Sequence, residues 1–269
     1  MPRTFAEVAA LPAPEPDDVL RYGDLPQQFI EVWRPVQVPR GLLVLIHGGC
    51  WQNAYGVDHI RPMADVLRAQ GYLVWAPEYR RIGDAGGGWT GTFKDIAVVA
   101  DAAGSAGGRE GGVLPVLLAG HSAGGHLALW AACRPQFAEP SPFYTQRPMR
   151  PRGVLGLAAI TDLRSYALGE SSCERSTVEL LGGSPEQQPA RYAAASPIEQ
   201  VPVGTPVALV QGTADEIVPA HQAERFLEAA LAAGDSANLR YVPGAGHFDL
   251  IYPGTMAFAT GLASLRELL

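Results

Sequence analysis

Lysine is nearly missing from this chain: Lys94 stands alone against 19 arginines, and no basic stretch occurs. With 27 acidic and 20 basic residues the formal net charge is −7. Nothing is therefore available to displace phosphate counterions, which excludes nucleic acid as a partner. Cysteine is scarce too. Cys50, Cys133 and Cys173 are odd in number and lie 83 and 40 residues apart, a pattern that indicates neither a disulfide framework nor a zinc site. Long apolar runs are lacking: Val113–Ala119 and Val154–Ile160 are strand-sized and far too short to cross a bilayer. Met1–Asp18 has no secretory apolar region, since it carries Glu7 and then Pro12, Pro14 and Pro16. The expectation is a cytoplasmic protein with no membrane partner, no cofactor and no metal.

Apolar residues, by contrast, are plentiful. Hydrophobic side chains make up 47% of the 269 residues and charged ones 17%, too apolar for disorder and ample for a large core. Apolar runs bounded by Gly or Pro recur at Gly41–Ile46, Tyr72–Pro77, Val113–Ala119, Val154–Ala159 and Pro206–Val210. Such runs predict strands buried on both faces of a parallel sheet. Helical spacing appears between them at Asp58–Gln70, Thr92–Ala103, Gly124–Cys133 and Ala220–Ala233, and again through Phe258, Leu262, Leu265 and Leu268. Leu239–Val242 reads as a further strand and Gln28–Trp33 as an early antiparallel one. The alternation predicts one doubly wound α/β domain over 1–269, preceded by an extension at 1–20. Between about 161 and 203 the pattern lapses, with a helical candidate only at Ser176–Leu181. That stretch reads as a small insertion over the strand ends.

One segment carries chemistry. The apolar strand through Val116–Ala119 runs into Gly120-His121-Ser122-Ala123-Gly124 and then into a helix. Gly-x-Ser-x-Gly in this frame predicts a strained strand-to-helix turn that lifts the Ser122 hydroxyl above the sheet and aims the Ala123 N–H at the same point. A bland reading, a turn serine on a nucleotide-binding sheet, predicts no partners for it. A serine nucleophile needs a base. Of six histidines, His121 should point away from the serine, His126 lies four residues along the following helix, His59 and His221 fall in helical segments, and His47 precedes paired glycines. His247, in a Gly-rich loop after the last strand, is the expected base. Asp215 follows the strand at Val207–Val210 and is the expected acid, with Glu216 and Asp249 as rivals. Capping the turn before Ile217 is a second role open to Asp215. His47-Gly48-Gly49-Cys50-Trp51 follows another strand and predicts an oxyanion hole from Gly49, Cys50 and Ala123, with Gly48 permitting close approach and His47 bracing the loop. Cys50 itself reads as a small apolar loop residue. Trp51, Tyr55 and Trp89 are candidate pocket residues, with core or surface packing an equal reading for each, and Gly86–Gly88 reads as a flexible loop.

The two motifs His47–Trp51 and Gly120–Leu127 resemble the kynurenine formamidase (arylformamidase) branch of the α/β-hydrolases, beside the hormone-sensitive-lipase-type esterases. The resemblance extends to Tyr22-Gly23, Pro26, Gln28, Val32–Pro35, Pro77–Arg80, Ser196-Pro197, Gly212–Pro219 and Gly246-His247. It implies the α/β-hydrolase fold and the order Ser122, Asp215, His247. The expected function is a metal-free serine hydrolase of small carboxylic esters or aryl formamides, its partner a small-molecule substrate. A homodimer is compatible with the sequence. Arylformamidase proper and a non-catalytic binding protein of the same fold are the alternatives.

Overall fold

The computed structural model describes residues 1–12, 14–108 and 114–269. The strands are β1 (Asp18–Arg21), β2 (Phe29–Trp33), β3 (Gly41–Ile46), β4 (Tyr72–Pro77), β5 (Val116–His121), β6 (Gly153–Leu157), β7 (Val207–Gly212) and β8 (Ala237–Val242). The helices are α1 (Phe5–Ala9), α2 (Arg61–Ala69), α3 (Gly91–Gly107), α4 (Ala123–Cys133), α5 (Leu163–Tyr166), α6 (Ser172–Leu181), α7 (Pro189–Ala195), α8 (His221–Ala232) and α9 (Met256–Glu267). The strands form one sheet in the order β1-β2-β4-β3-β5-β6-β7-β8. The β1/β2 and β2/β4 pairs are antiparallel and all others parallel.

Burial explains which strands the sequence announces. Every residue of β3, β4, β5, β6 and β7 is buried, because helices cover both faces of a parallel sheet. Gly156 faces Leu129 of α4, and its neighbour Leu157 faces Gly261 of α9, so these two helices lie on opposite faces of β6. Met63 and Leu67 of α2 join Phe258 and Leu262 of α9 over Leu155 and Leu157. All of α4 is buried, which is why its sequence, AGGHLALWAAC, has no polar face. At the edges, β1 is largely exposed and β8 half-buried. The polar β1 gives no apolar run to read, and it falls partly within the stretch taken as an extension. Val113, expected at the start of β5, lies outside the described residues.

The 161–203 stretch holds α5, α6, α7 and a turn of 3-10 helix at Pro197–Gln200, more helix than expected. A capping box starts α6: the Ser171 hydroxyl accepts from the Glu174 N–H while the Glu174 carboxylate accepts from the Ser171 N–H. This Ser-x-x-Glu signal is visible in the sequence and places the start of α6 four residues before the expected Ser176. Gln222 of α8 holds the base of the insertion, its Oε1 accepting from the Thr161 and Asp162 amides at 2.9 and 2.8 Å.

A buried ion pair fixes the β2–β4 end of the sheet to α3. The Asp95 carboxylate accepts from the Arg80 backbone N–H, Nε and Nη2 and from Gln28 Nε2. Removing it strands a guanidinium and an amide. Asp95→Ala is expected to lower the unfolding free energy by about 3–5 kcal/mol and Asp95→Asn by less, as read by urea denaturation.

Candidate active site

The loops that carry chemistry all leave the C-terminal ends of parallel strands, where open α/β sheets build their sites. Ser122 sits between β5 and α4 with φ 57° and ψ −122°, the mirror image of extended backbone and open without strain only to glycine. Its N–H donates to Leu157 on the neighbouring β6 at 2.8 Å, and its carbonyl accepts the first bond of α4 from His126. Gly124 lets the turn press against the end of β3, since a Cβ there would lie 2.1 Å from the Ile46 carbonyl oxygen and 2.4 Å from that of His47. The same sharpness requires Gly120, whose Cβ would meet the Gly124 carbonyl at 2.1 Å.

His247 and Asp215 form a pair. His247 Nδ1 lies 2.8 Å from Asp215 Oδ2, and both side chains are buried. Burial alone would raise the Asp215 carboxyl. The bond to His247 and the Ile217 and Val218 amides, both donating to Oδ1 at 2.9 Å, outweigh it and hold the group below the usual aspartate value. Asp215 thus both holds the histidine and caps its own turn. Neither rival bonds His247. Asp249 accepts from the Gly246 and Arg3 amides, and Glu216 lines the cavity without bonding His247. His121 donates through Nε2 to the His247 carbonyl at 3.0 Å, with the rings 4.3 Å apart. His121, expected to point away from the serine, makes no bond to it and instead supports His247. Ser122 and His247 face the same cavity without a hydrogen bond between them.

The loop after β3 is braced from below. His47 donates from Nδ1 to the Gly48 carbonyl and contacts Glu78 Oε1 at 2.8 Å through Nε2, while the Tyr79 hydroxyl donates to the His47 carbonyl. Burial works against the Glu78 charge, but His47, Arg81 and the Tyr79 amide hold its carboxyl below the ordinary range. Gly49, Cys50 and Trp51 all have φ between 51° and 105°. Among the described residues no acceptor engages the N–H groups of Gly49, Cys50 or Ala123.

Cys50 is bonded to Cys173, against the expectation of no disulfide; the Cα atoms are 5.0 Å apart and the residues 123 positions apart in sequence. Counting and spacing could not reveal this, because the partner comes from the N-terminal turn of α6 and only folding brings it to the loop. Cys133 is free and buried.

A cavity of about 220 Å³ opens beside Ser122 and is lined by Phe5, Gly49, Cys50, Tyr55, His59, His121, Ser171, Ser172, Cys173, Glu216, Ile217, His247 and Phe248. Of the three aromatic candidates only Tyr55 reaches it. Trp51 is fully buried, its indole N–H donating to His126 Nδ1 at 3.1 Å. Trp89 packs on Phe93 and Phe143 instead. Their distance from the site is a packing effect, as large aromatic surfaces near α4 are drawn into the core. The Gly86–Gly88 loop is docked where it meets the insertion, the Trp89 N–H donating to Leu180 of α6. Phe5, His59 and Phe248 are missed by the sequence analysis. The Phe5 ring makes edge or tilted contacts with Tyr55, His59 and Phe248 at 5.2–5.8 Å. The N-terminal arm that carries it is fastened by Arg3, whose amide donates to Asp249 and whose guanidinium covers Tyr252. The only sequence signal for α1 is the capping box at Thr4 and Glu7.

A mostly parallel eight-stranded sheet with a serine at a strained strand-to-helix turn and an acid–histidine pair on later loops defines an α/β-hydrolase fold. The BD-FAE family matches residues 34–230, more than half of the chain, and the chain belongs to that family. Esterase LipC of Mycobacterium tuberculosis is 29% identical over 246 residues, covering 86% of this chain and 59% of that protein. The chain thus spans less than two thirds of this curated relative. Among solved structures, esterase B of Lactobacillus rhamnosis superposes with a TM-score of 0.79 at 24% identity, covering 98% of this chain and 90% of that one. The thermophilic esterase Est2 of Thermogutta terrifontis gives 0.76 at 22%, covering 98% and 96%. At these identities the likeness shows the fold.

Two outcomes follow from the site's energetics. Ser122→Gly relieves the strained φ, worth on the order of 1–3 kcal/mol, so it is expected to melt above Ser122→Ala by roughly 2 °C or more. Equal melting temperatures would remove the strain. Burial also pushes His59 and His126 down to about 4 and His121 well below its ordinary value. Below pH about 6.5 the unfolded chain protonates these rings while the fold keeps them neutral. Stability is therefore expected to fall from pH about 6.5 towards 4, by about 1.4 kcal/mol per pH unit per ring. Urea midpoints at several pH values read the slope, and His126→Gln should flatten it by about one proton.

Proposed function

We propose that this protein is a serine hydrolase that cleaves small carboxylic esters through an acyl-enzyme. The observation that carries the reading is one cavity lined by Ser122, by His247 with Asp215 bonded behind it, and by Gly49 and Cys50, whose amides are unengaged. Ser122 Oγ attacks the ester carbonyl carbon. His247 accepts its proton at Nε2, because Nδ1–H is held by the Asp215 carboxylate. The Gly49, Cys50 and Ala123 N–H groups receive the oxyanion, each donor contributing roughly 3 kcal/mol to the transition state. Gly48 permits the approach, since a Cβ there would lie 2.8 Å from the His121 carbonyl oxygen and 3.1 Å from Ser122 Cβ. His247 then protonates the leaving alcohol, and the same groups activate water for deacylation.

The substrate is small. A cavity of about 220 Å³, closed by Phe5, Tyr55 and Phe248, accepts a short acyl chain and excludes a long one. Structures of the Thermogutta esterase with propionate and butyrate bound support this size class. The aromatic edges on that wall favour an aryl formamide such as N-formylkynurenine as a second reading, served by the same groups.

The test combines a fluorophosphonate probe with 4-nitrophenyl esters of increasing chain length and N-formylkynurenine. The probe is expected to label Ser122, and Ser122→Ala to abolish both labelling and turnover. Asp215→Asn should lower kcat by about 10⁴-fold. Rates should be highest from acetyl to butyryl, and Phe5→Ala should move the optimum to longer chains. Turnover of the formamide far above that of the aryl esters would select the second reading. A chain that takes no label and turns over none of these substrates would be a binding protein.

A further inference from the structure

The disulfide is placed where the reaction is most sensitive to geometry. Cys50 belongs to the loop after β3 whose Gly49 and Cys50 amides have no acceptor, and Cys173 to the first turn of α6 in the insertion. Both line the cavity that contains Ser122. Gly49, Cys50 and Trp51 are consecutive residues at positive φ, backbone that L side chains rarely adopt unless surroundings impose it. Trp51 is anchored in the core through His126. Gln52, beyond it, reaches Ser176 of α6 at 2.7 Å. The turn through Cys50 and Trp51 is closed by the Gln52 N–H donating to the Gly49 carbonyl at 2.9 Å, and the one side-chain restraint on Cys50 itself is the bond to Cys173.

We propose that the Cys50–Cys173 disulfide is a positioning element of the oxyanion hole, so that activity depends on the redox state of this pair. The proposal rests on the serine-hydrolase reading above. A dithiol opens the bond in two steps. Its thiolate attacks one sulfur, the S–S bond breaks, and the released cysteine thiolate takes a proton. The second thiol then displaces the remaining cysteine and leaves as the cyclic disulfide, two electrons and two protons having passed to the protein. Cys133 does not interfere, because it is fully buried in α4 and burial pushes its thiol far up. Reduction leaves the turn held by the Gln52–Gly49 bond alone, which loosens the aim of its amides on the oxyanion without removing them, while Ser122, His247 and Asp215 stay in place. Disulfides persist in oxidising compartments and open in reducing ones, so the compartment sets the fraction of enzyme that is active.

The experiment treats the native enzyme with dithiothreitol and counts thiols after denaturation: one is expected before reduction and three after. On an aryl ester, kcat should fall by about 10- to 100-fold on reduction, less than the loss of a whole donor, with KM changed much less. Reoxidation by a small cyclic disulfide should restore it. Cys173→Ala, which leaves the loop sequence intact, should show the lowered kcat and no response to reductant. Amide hydrogen exchange over residues 48–52, read by mass spectrometry, should rise on reduction. That readout needs no substrate, so it separates this proposal from the functional reading: an enzyme that cleaves no ester but loosens this loop fails the function alone. Three thiols in the untreated protein, or a reduced enzyme with unchanged kcat and unchanged exchange, would overturn the proposal.

Discussion

The close approach of the Ser122 turn to the end of β3 is the constraint on which the site depends. Without a side chain at Gly124, α4 begins almost in contact with the carbonyls of Ile46 and His47. That contact does two things at once. It forces Ser122 to a φ of 57°, which lifts the hydroxyl off the sheet. It also brings the start of α4 against the end of β3, from which the Gly48–Cys50 loop leaves. A strained residue here is maintained by the fully buried β3, β5 and α4, a region too well packed to relax around it.

Around this contact the protein uses neutral rings in a dry interior. His121 and His126 each donate one ring N–H to a backbone carbonyl, of His247 and of Ala195 respectively. As uncharged imidazoles they connect the end of β5 to the His247 loop and α4 to α7 without placing further charge beside Asp215. The buried carboxylates here have identified partners, Asp215 with His247 and Glu78 with His47 and Arg81. This separation lets a carboxylate persist at low exposure next to a reactive centre.

The walls of the cavity come from parts of the chain that have little to do with the sheet. Phe5 arrives on an arm fastened through Asp249, and Ser171, Ser172 and Cys173 arrive on the insertion. Each segment is too short to bury a core alone; each is ordered by capping boxes and by contacts to the hydrolase body. Such walls can vary without disturbing the Ser122 turn, except at Cys173, which is tied to the loop after β3.

Much was legible in the sequence, for an identifiable reason. Strands buried on both faces must be continuously apolar, and a strand-to-helix elbow must have Gly at 120 and 124, so β3 to β7 and Ser122 are written in local residue types. The order of Asp215 and His247 after it follows from strand ends. Other features have no local signature. The polar edge strand β1 has no apolar run. The pairing of Cys50 with Cys173 spans 123 residues, and neither cysteine carries a mark of its partner. For Trp51 and Trp89 the sequence left pocket and core equally open, and packing decided for the core, while Phe5 was brought to the cavity from near the other end of the chain. Sequence by itself determined the sheet, the elbow and the chemical groups, because these are imposed by backbone geometry over a few residues. Only the tertiary structure decided which side chains wall the cavity and what holds the loop beside Ser122, because those contacts join segments that the chain keeps far apart.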